Sequence, residues 1–287
     1  MTTFINSGFS DSKLTFNESS PFPDGQPHVA IQDGLLNNYR DTQVINCRIV
    51  TPLDLVNVAL AVETLENKGC LIHLNIFYLM GGRMDRRLSG DEPYTLKAVA
   101  ELLNGLSSVT SVSVFCPHSQ ATTDLLLSSK NMVDVEELFF KHGAGSCLLT
   151  VSEGLKHNKS SDVSLVFPDH GALKRFGKSG LLDYFPNASV VTLEKDRDER
   201  TGKVNGVKLI NGCVNRYCII IDDLCDGGRT FEESSIILRR SGAVRVGLVV
   251  AHAIMSKGIK IPGIDHIVTT NSYKGWESTE GFKVFKL

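Results

Sequence analysis

One stretch constrains fold and site together: CIIIDDLCDGGRTFEE, residues 218–233. Cys218, Ile219, Ile220 and Ile221 form an apolar run without alternation, which predicts a strand buried on both faces and hence a parallel sheet. The run stops at Asp222 and Asp223. A glycine-rich turn through Asp226, Gly227, Gly228 and Arg229 follows, and Thr230 opens a helix-like segment. Side chains just past the carboxyl end of such a strand stand where open α/β sheets bind ligands. Adjacent carboxylates there accept hydrogen bonds from vicinal hydroxyls and favour a hydrated divalent cation. A glycine turn feeding a helix presents N–H groups to a phosphate. Diol, cation and phosphate together describe a phosphorylated pentose. Thr230 and Glu233 also have capping-box spacing, so helix capping accounts for that pair as well.

The rest of the chain alternates apolar runs with helical patterns. Residues 52–66 carry apolar positions at helical spacing, and 71–80 (LIHLNIFYLM) read as a strand. DEPYTLKAVAELLNGL predicts a helix with Pro93 in its first turn, Leu96, Val99, Leu102 and Leu103 on one face and Gly105 at its end. VTSVSVFC, VSLVFPD, ASVVTLEK, RYCIIIDD and VRVGLVVAH are further strands. This rhythm predicts an α/β fold with right-handed crossovers in a mainly parallel sheet. With 287 residues, two α/β domains are expected, 1–140 and 141–287. Gly143, Gly145 and Ser146 make that stretch the most linker-like.

Composition narrows the function. The formal net charge of −2 argues against a nucleic-acid binder, which would carry a basic stripe. No apolar run approaches the roughly 18 residues of a membrane span, and the N-terminus lacks a secretory pattern. Seven cysteines without C-x-x-C predict reduced, buried thiols and a cytoplasmic location.

The 218–233 segment resembles the ribose-phosphate motif of type I phosphoribosyltransferases: Asp222, Asp223, Asp226 and Thr230 match, while Gly227 and Arg229 replace a threonine and a glycine. More of the chain, roughly residues 22–275, resembles ribose-phosphate diphosphokinases, which implies two tandem phosphoribosyltransferase-like domains. On FPDGQ the resemblance implies an adenine loop serving a neighbouring subunit, with Phe22 stacking and Asp24 and Gln26 bonding the base edge; Pro-Asp-Gly is also an ordinary turn. In GGRMDRRLSGDEPYT, Arg83 and Arg86 match arginines on ATP phosphates, with Asp85 between them, and Met84 replaces a glutamine. In CPHSQ, His118 matches a histidine of Mg²⁺–ATP, although Cys116 stands where an acidic residue is usual. In FPDHGALKR, Asp169 matches a metal-binding aspartate. In LEKDRDERTGK, Lys195 and Arg197 match the root of a mobile catalytic loop.

The resemblance therefore implies a Mg²⁺- and ATP-dependent enzyme in which the anomeric hydroxyl of ribose 5-phosphate attacks the β-phosphorus of ATP. Lys195 and Arg197 would stabilise the transferring diphosphate, Asp222 and Asp223 would orient the ribose hydroxyls, and residues 226–230 would cradle the 5-phosphate. Arg229 in that loop suits a 5-substituent larger than monophosphate, such as the diphosphate of ADP-ribose, the acceptor of a divergent branch. A homo-oligomer is implied, with no nucleic-acid or membrane partner. The rivals are a type I phosphoribosyltransferase and a non-catalytic regulatory homologue.

Overall fold

The structure, a computed structural model, describes residues 3–4, 16–19, 22–31, 42–87, 89–126, 128–151, 162–177, 180–197 and 204–287. Backbone contacts divide the chain into two units, residues 1–135 with 286–287, and residues 136–285.

In the first unit, β1 (Phe16–Ser19) and β2 (His28–Ile31) form an antiparallel ribbon. The strands β3 (Gln43–Ile49), β4 (Ile72–Leu79), β5 (Val109–Val114) and β6 (Ser129–Asn131) form a parallel sheet in that order. The helices α1 (Pro52–Glu66), α2 (Thr95–Asn104) and α3 (Ala121–Leu125) are the crossovers. The first starts at a reciprocal cap: the Thr51 hydroxyl accepts from the Asp54 N–H, and Asp54 accepts from the Thr51 N–H at 2.7 Å. Pro52 suits the first helical position, where no N–H is needed.

The second helix departs from expectation at two places. It begins at Thr95 with Tyr94 as N-cap, so Pro93 lies before the helix rather than in its first turn. Leu102 is 61% exposed, whereas Leu96, Val99 and Leu103 are buried. At about 100° per residue, position 102 falls at the edge of the stripe that 96, 99 and 103 share.

Residues 136–285 lie mostly in a seven-stranded sheet. The long helix α4 (Val133–Val151) runs into this unit, and it contains Gly143, Gly145 and Ser146. The stretch read as linker-like is thus helical. A Cβ on Gly143 would stand 3.0 Å from Val249 Cγ1, so the bare glycine serves close approach of helix to sheet rather than flexibility. Next come β7 (Val163–Phe167), α5 (His170–Phe176), α6 (Leu181–Tyr184), β8 (Ser189–Arg197), β9 (Val204–Asn211) and β10 (Tyr217–Cys225). They are followed by α7 (Arg229–Arg240), β11 (Arg245–Ala253), β12 (His266–Thr270) and β13 (Phe282–Phe285).

The strand order is β13-β12-β11-β10-β7-β8-β9, parallel throughout except for the β8–β9 hairpin. Cys218, Ile219, Ile220 and Ile221 are wholly buried, as a strand covered on both faces requires. The chain leaves β7 towards β8 on one side and leaves β10 towards β11 on the other. That reversal is the topological switch point at which open α/β sheets place their ligands.

All seven cysteines are free, six of them buried and Cys213 exposed. Burial pushes the Cys218 and Cys225 thiols up to about 12, so both are inert packing groups at neutral pH. Among the described residues no helix is long and apolar enough to cross a membrane.

Candidate functional site

Asp222 and Asp223 lie within β10, which continues to Cys225. The apolar run ends at the carboxylates, but the strand does not. The register explains this: β10 pairs with β7 only as far as Ile220↔Val166, yet follows β11 to Cys225↔Ala253. The two aspartates therefore stand on a strand that overhangs its neighbour, at the edge of the crevice. Asp223 is buried, and its N–H donates to Asp222 Oδ1 at 2.9 Å.

Asp169 follows β7 and caps α5, accepting from the Ala172 N–H at 3.0 Å. Its charge reaches Asp222. Burial first, then the neighbouring charge of Asp223 and lastly that of Asp169, raise the Asp222 carboxyl well above the ordinary aspartate range. Arg175, on the same α5, answers this crowding. Its Nη1 lies 3.7 Å from Asp223 Oδ2, and its Nη2 lies 3.4 Å from both carboxylate oxygens of Glu136. Glu136 is itself raised, because its burial outweighs the attraction of Arg175. Arg175 stands within the FPDHGALKR motif but was not among the expected site residues. Glu136, on α4, has no sequence signal linking it to the site.

The turn after β10 is governed by Gly228, which has φ of 76° and is the N-cap of α7. A Cβ there would lie 2.9 Å from Ile261 Cγ1, so both conformation and contact demand glycine. The capping-box alternative for Thr230 and Glu233 is not realised: Thr230 is the second helical residue, and Glu233 instead pairs with Arg229 at 2.8 Å. Arg229 is thereby laid along the helix surface, its charge matched by Glu233. Gly227 is partly exposed, and a Cβ on it would meet the Cδ and Cε of Lys257 at 3.5 Å. The Lys257 stem thus covers the side of the turn where the resemblance places a threonine.

Lys195 and Arg197 lie on β8, opposite Val207 and Val204 of β9. The last β8 residue paired with β7 is Thr192. Lys195, three residues on and roughly 10 Å further along the strand, emerges from the same carboxyl edge as Asp169. Residues 198–203 of the expected mobile loop lie outside the described residues, and Val204, Asn205 and Gly206, also assigned to it, belong to β9.

In the first unit, the loops after β4 and β5 come together. Gly81 has φ of 81° and accepts from the Met84 N–H at 2.8 Å, leaving Arg83 and Arg86 exposed and Asp85 half-buried. A Cβ on Gly82 would lie 3.9 Å from His118 Cβ, so the arginine loop and the exposed His118 share one strand-end edge. Cys116, with φ of 45°, is wholly buried; it turns the chain after β5 and offers nothing to a ligand. FPDGQ is a turn closed by Phe22 N–H to Gln26 O at 2.9 Å, with Gly25 at φ of 86°. The Asp24 carboxylate accepts from the Gln26 N–H at 3.1 Å, and the Phe22 ring is 53% exposed.

Among the described residues no group of three or more His, Cys, Asp or Glu could hold a metal ion. The donors present nevertheless suit Mg²⁺, which keeps several waters and takes one or two carboxylates beside substrate phosphates. The repulsion that raises Asp222 is the repulsion a divalent cation near Asp169 would relieve.

No family model matches the chain. Curated relatives do. The ribose-phosphate pyrophosphokinase of Mycoplasmopsis pulmonis is 24% identical over 241 residues, 82% of this chain and 70% of that protein. That of Listeria ivanovii is 26% identical over 226 residues, 76% of this chain and 65% of that protein. That of Hyphomonas neptunium is 26% identical over 275 residues, 91% and 80%. The match thus spans about two thirds of the length of the first two. Among solved structures, a phosphoribosylpyrophosphate synthetase from Mycobacterium smegmatis superposes with a TM-score of 0.71 at 17% identity, covering 96% of this chain and 87% of that one.

Fold and site together define an α/β protein of the phosphoribosyl diphosphate synthetase architecture, with its acidic residues at the carboxyl ends of parallel strands. Within that class, the chain is a divergent relative of the ribose-phosphate pyrophosphokinases.

Proposed function

We propose that the chain transfers the β,γ-diphosphate of ATP to the anomeric hydroxyl of a 5-phosphorylated ribose, releasing AMP. The observation that carries this reading is the switch point: Asp169 after β7, and Asp222 and Asp223 on the overhang of β10, followed by a turn that only Gly228 can make. Asp222 and Asp223 accept from the ribose hydroxyls. Residues 226–230 hold the 5-phosphate with backbone N–H groups at the start of α7. Arg175 holds Asp223 in place.

Asp169 and His118 are the proposed protein ligands of Mg²⁺–ATP. When bound, the cation neutralises phosphate charge and orients the triphosphate. Arg83 and Arg86, with Asp85 between them, take ATP phosphates, for which guanidinium forks are matched in charge and geometry. Phe22, Asp24 and Gln26 serve the adenine of a neighbouring subunit in a homo-oligomer. Lys195 and Arg197 stabilise charge on the transferring diphosphate, the main work of a phosphoryl-transfer catalyst. A cytoplasmic location accords with the free thiols.

Two acceptors fit this chemistry, ribose 5-phosphate and ADP-ribose. Incubating the protein with ATP, Mg²⁺ and each acceptor in turn, and quantifying AMP and the 1-diphosphate product, tests the proposal. Formation of both with at least one acceptor is expected. Their absence with both removes diphosphate transfer.

A further inference from the structure

Beside the phosphate turn the structure has an open cleft of about 430 Å³, within the size range of ligand sites. Its two walls differ. One is the segment after β11, with Lys257, Lys260 and Ile261; the other is the first turns of α7, with Arg229, Glu232 and Ile236. Arg229 is matched by Glu233. Among the described residues neither Lys257 nor Lys260 makes an ion pair, so both are available to an anion. The cleft opens directly off Gly227 and Gly228, and the Lys257 stem packs against the bare face of Gly227.

Resting on the function proposed above, we infer that this cleft is a subsite for a group attached to the acceptor's 5-phosphate. The turn holds the first phosphate. A second phosphate linked to it falls against Lys257 and Lys260, where compact ammonium charges suit phosphate oxygens. Beyond the second phosphate the walls ask for something hydroxyl-bearing and partly apolar: Glu232 accepts from hydroxyls, while Ile236 and Ile261 give a non-polar surface. A nucleoside has that chemistry, so the ligand class is a diphosphate ester joining ribose to a nucleoside. Lys257 is the specificity-determining residue. A β-branched side chain at position 227 would crowd its stem, so glycine there and lysine at 257 act together.

The test compares ribose 5-phosphate with ADP-ribose as acceptors for the wild type, Lys257→Met and Lys260→Met. Isothermal calorimetry of ADP-ribose binding is run in parallel. Methionine keeps the stem and removes the charge. The wild type is expected to turn over ADP-ribose. Lys257→Met should raise the KM for ADP-ribose relative to that for ribose 5-phosphate by about 10-fold, as loss of one charged contact does. An unchanged ratio, or turnover of ribose 5-phosphate without any of ADP-ribose, overturns the subsite and leaves diphosphate transfer standing. ADP-ribose binding that depends on Lys257, with no AMP from either acceptor, supports the subsite and removes the function proposed above. A Lys257-dependent response to inorganic phosphate, identical with both acceptors, assigns the cleft to a free anion and overturns the inference.

Discussion

Arg175 bridges two acids that the chain separates widely: its Nη1 lies 3.7 Å from Asp223 Oδ2, and its Nη2 lies 3.4 Å from each oxygen of Glu136. One guanidinium thus joins α4, α5 and β10 beneath the strand-end crevice. Removing it leaves two half-buried or buried carboxylates without a counter-charge, the costly way to break such a cluster. Arg175→Met should lower the urea-unfolding free energy by about 3 kcal/mol. The double variant with Glu136→Gln should recover about 1 kcal/mol or more of that, since the two sites are coupled. Full additivity of the two substitutions would remove Arg175 from this role.

Asp222 gives a pH dependence whose sign is determined by its shift. Burial, then the charge of Asp223, raise its carboxyl, so the folded chain keeps a proton that the unfolded chain releases near pH 4. The folded state binds more protons across that window. Its stability is therefore full below the ordinary aspartate value and falls as pH climbs towards the raised one. Asp222→Asn abolishes that slope and, in metal-free buffer at pH 7, should stabilise the protein by about 1 kcal/mol or more, one unit of displacement. The same variant should raise the KM for the acceptor at least about 10-fold, through the lost carboxylate. Thermal melts at pH 4 and pH 7 check the first half, and an unaltered slope would contradict it.

The two glycines of the turn should behave differently. Gly228→Ala forces a Cβ to 2.9 Å from Ile261 Cγ1 at a φ of 76°, and should cost about 1–3 kcal/mol with loss of acceptor binding. At Gly227 the φ is not positive, and a Cβ meets only the flexible Lys257 stem at 3.5 Å. Gly227→Ala should lie within about 0.5 kcal/mol of the wild type. Denaturation midpoints of the pair, compared directly, decide whether Ile261 clamps the turn.

Lys195→Ala should depress turnover on the order of 10²-fold while leaving ATP affinity nearly as it was, the pattern for a group that acts on transition-state charge. Steady-state rates alongside nucleotide binding separate the two. Near-normal turnover would take Lys195 out of the chemistry.

Much of the fold was written in local pattern. Unbroken Cys218–Ile221 predicted a strand covered on both faces, and all four residues are wholly buried in the centre of a parallel sheet. Residues 52–66 predicted a helix, and α1 spans Pro52–Glu66. Both depend on short-range periodicity and capping, which a chain carries in its own order. Glycines at 143 and 145 misled because composition cannot tell a hinge from a helix pressed against a sheet; the difference is Val249, more than a hundred residues later.

The carboxylates, the glycine turn and the strand that bears them were determined by sequence alone, because each is a property of neighbouring residues. Tertiary structure decided what surrounds them: the overhang of β10 past β7, the reach of Arg175 from Asp223 to Glu136, and the Lys257 stem lying on Gly227. These are contacts between distant segments, created by strand order and register, and burial then shifts the charges that meet there.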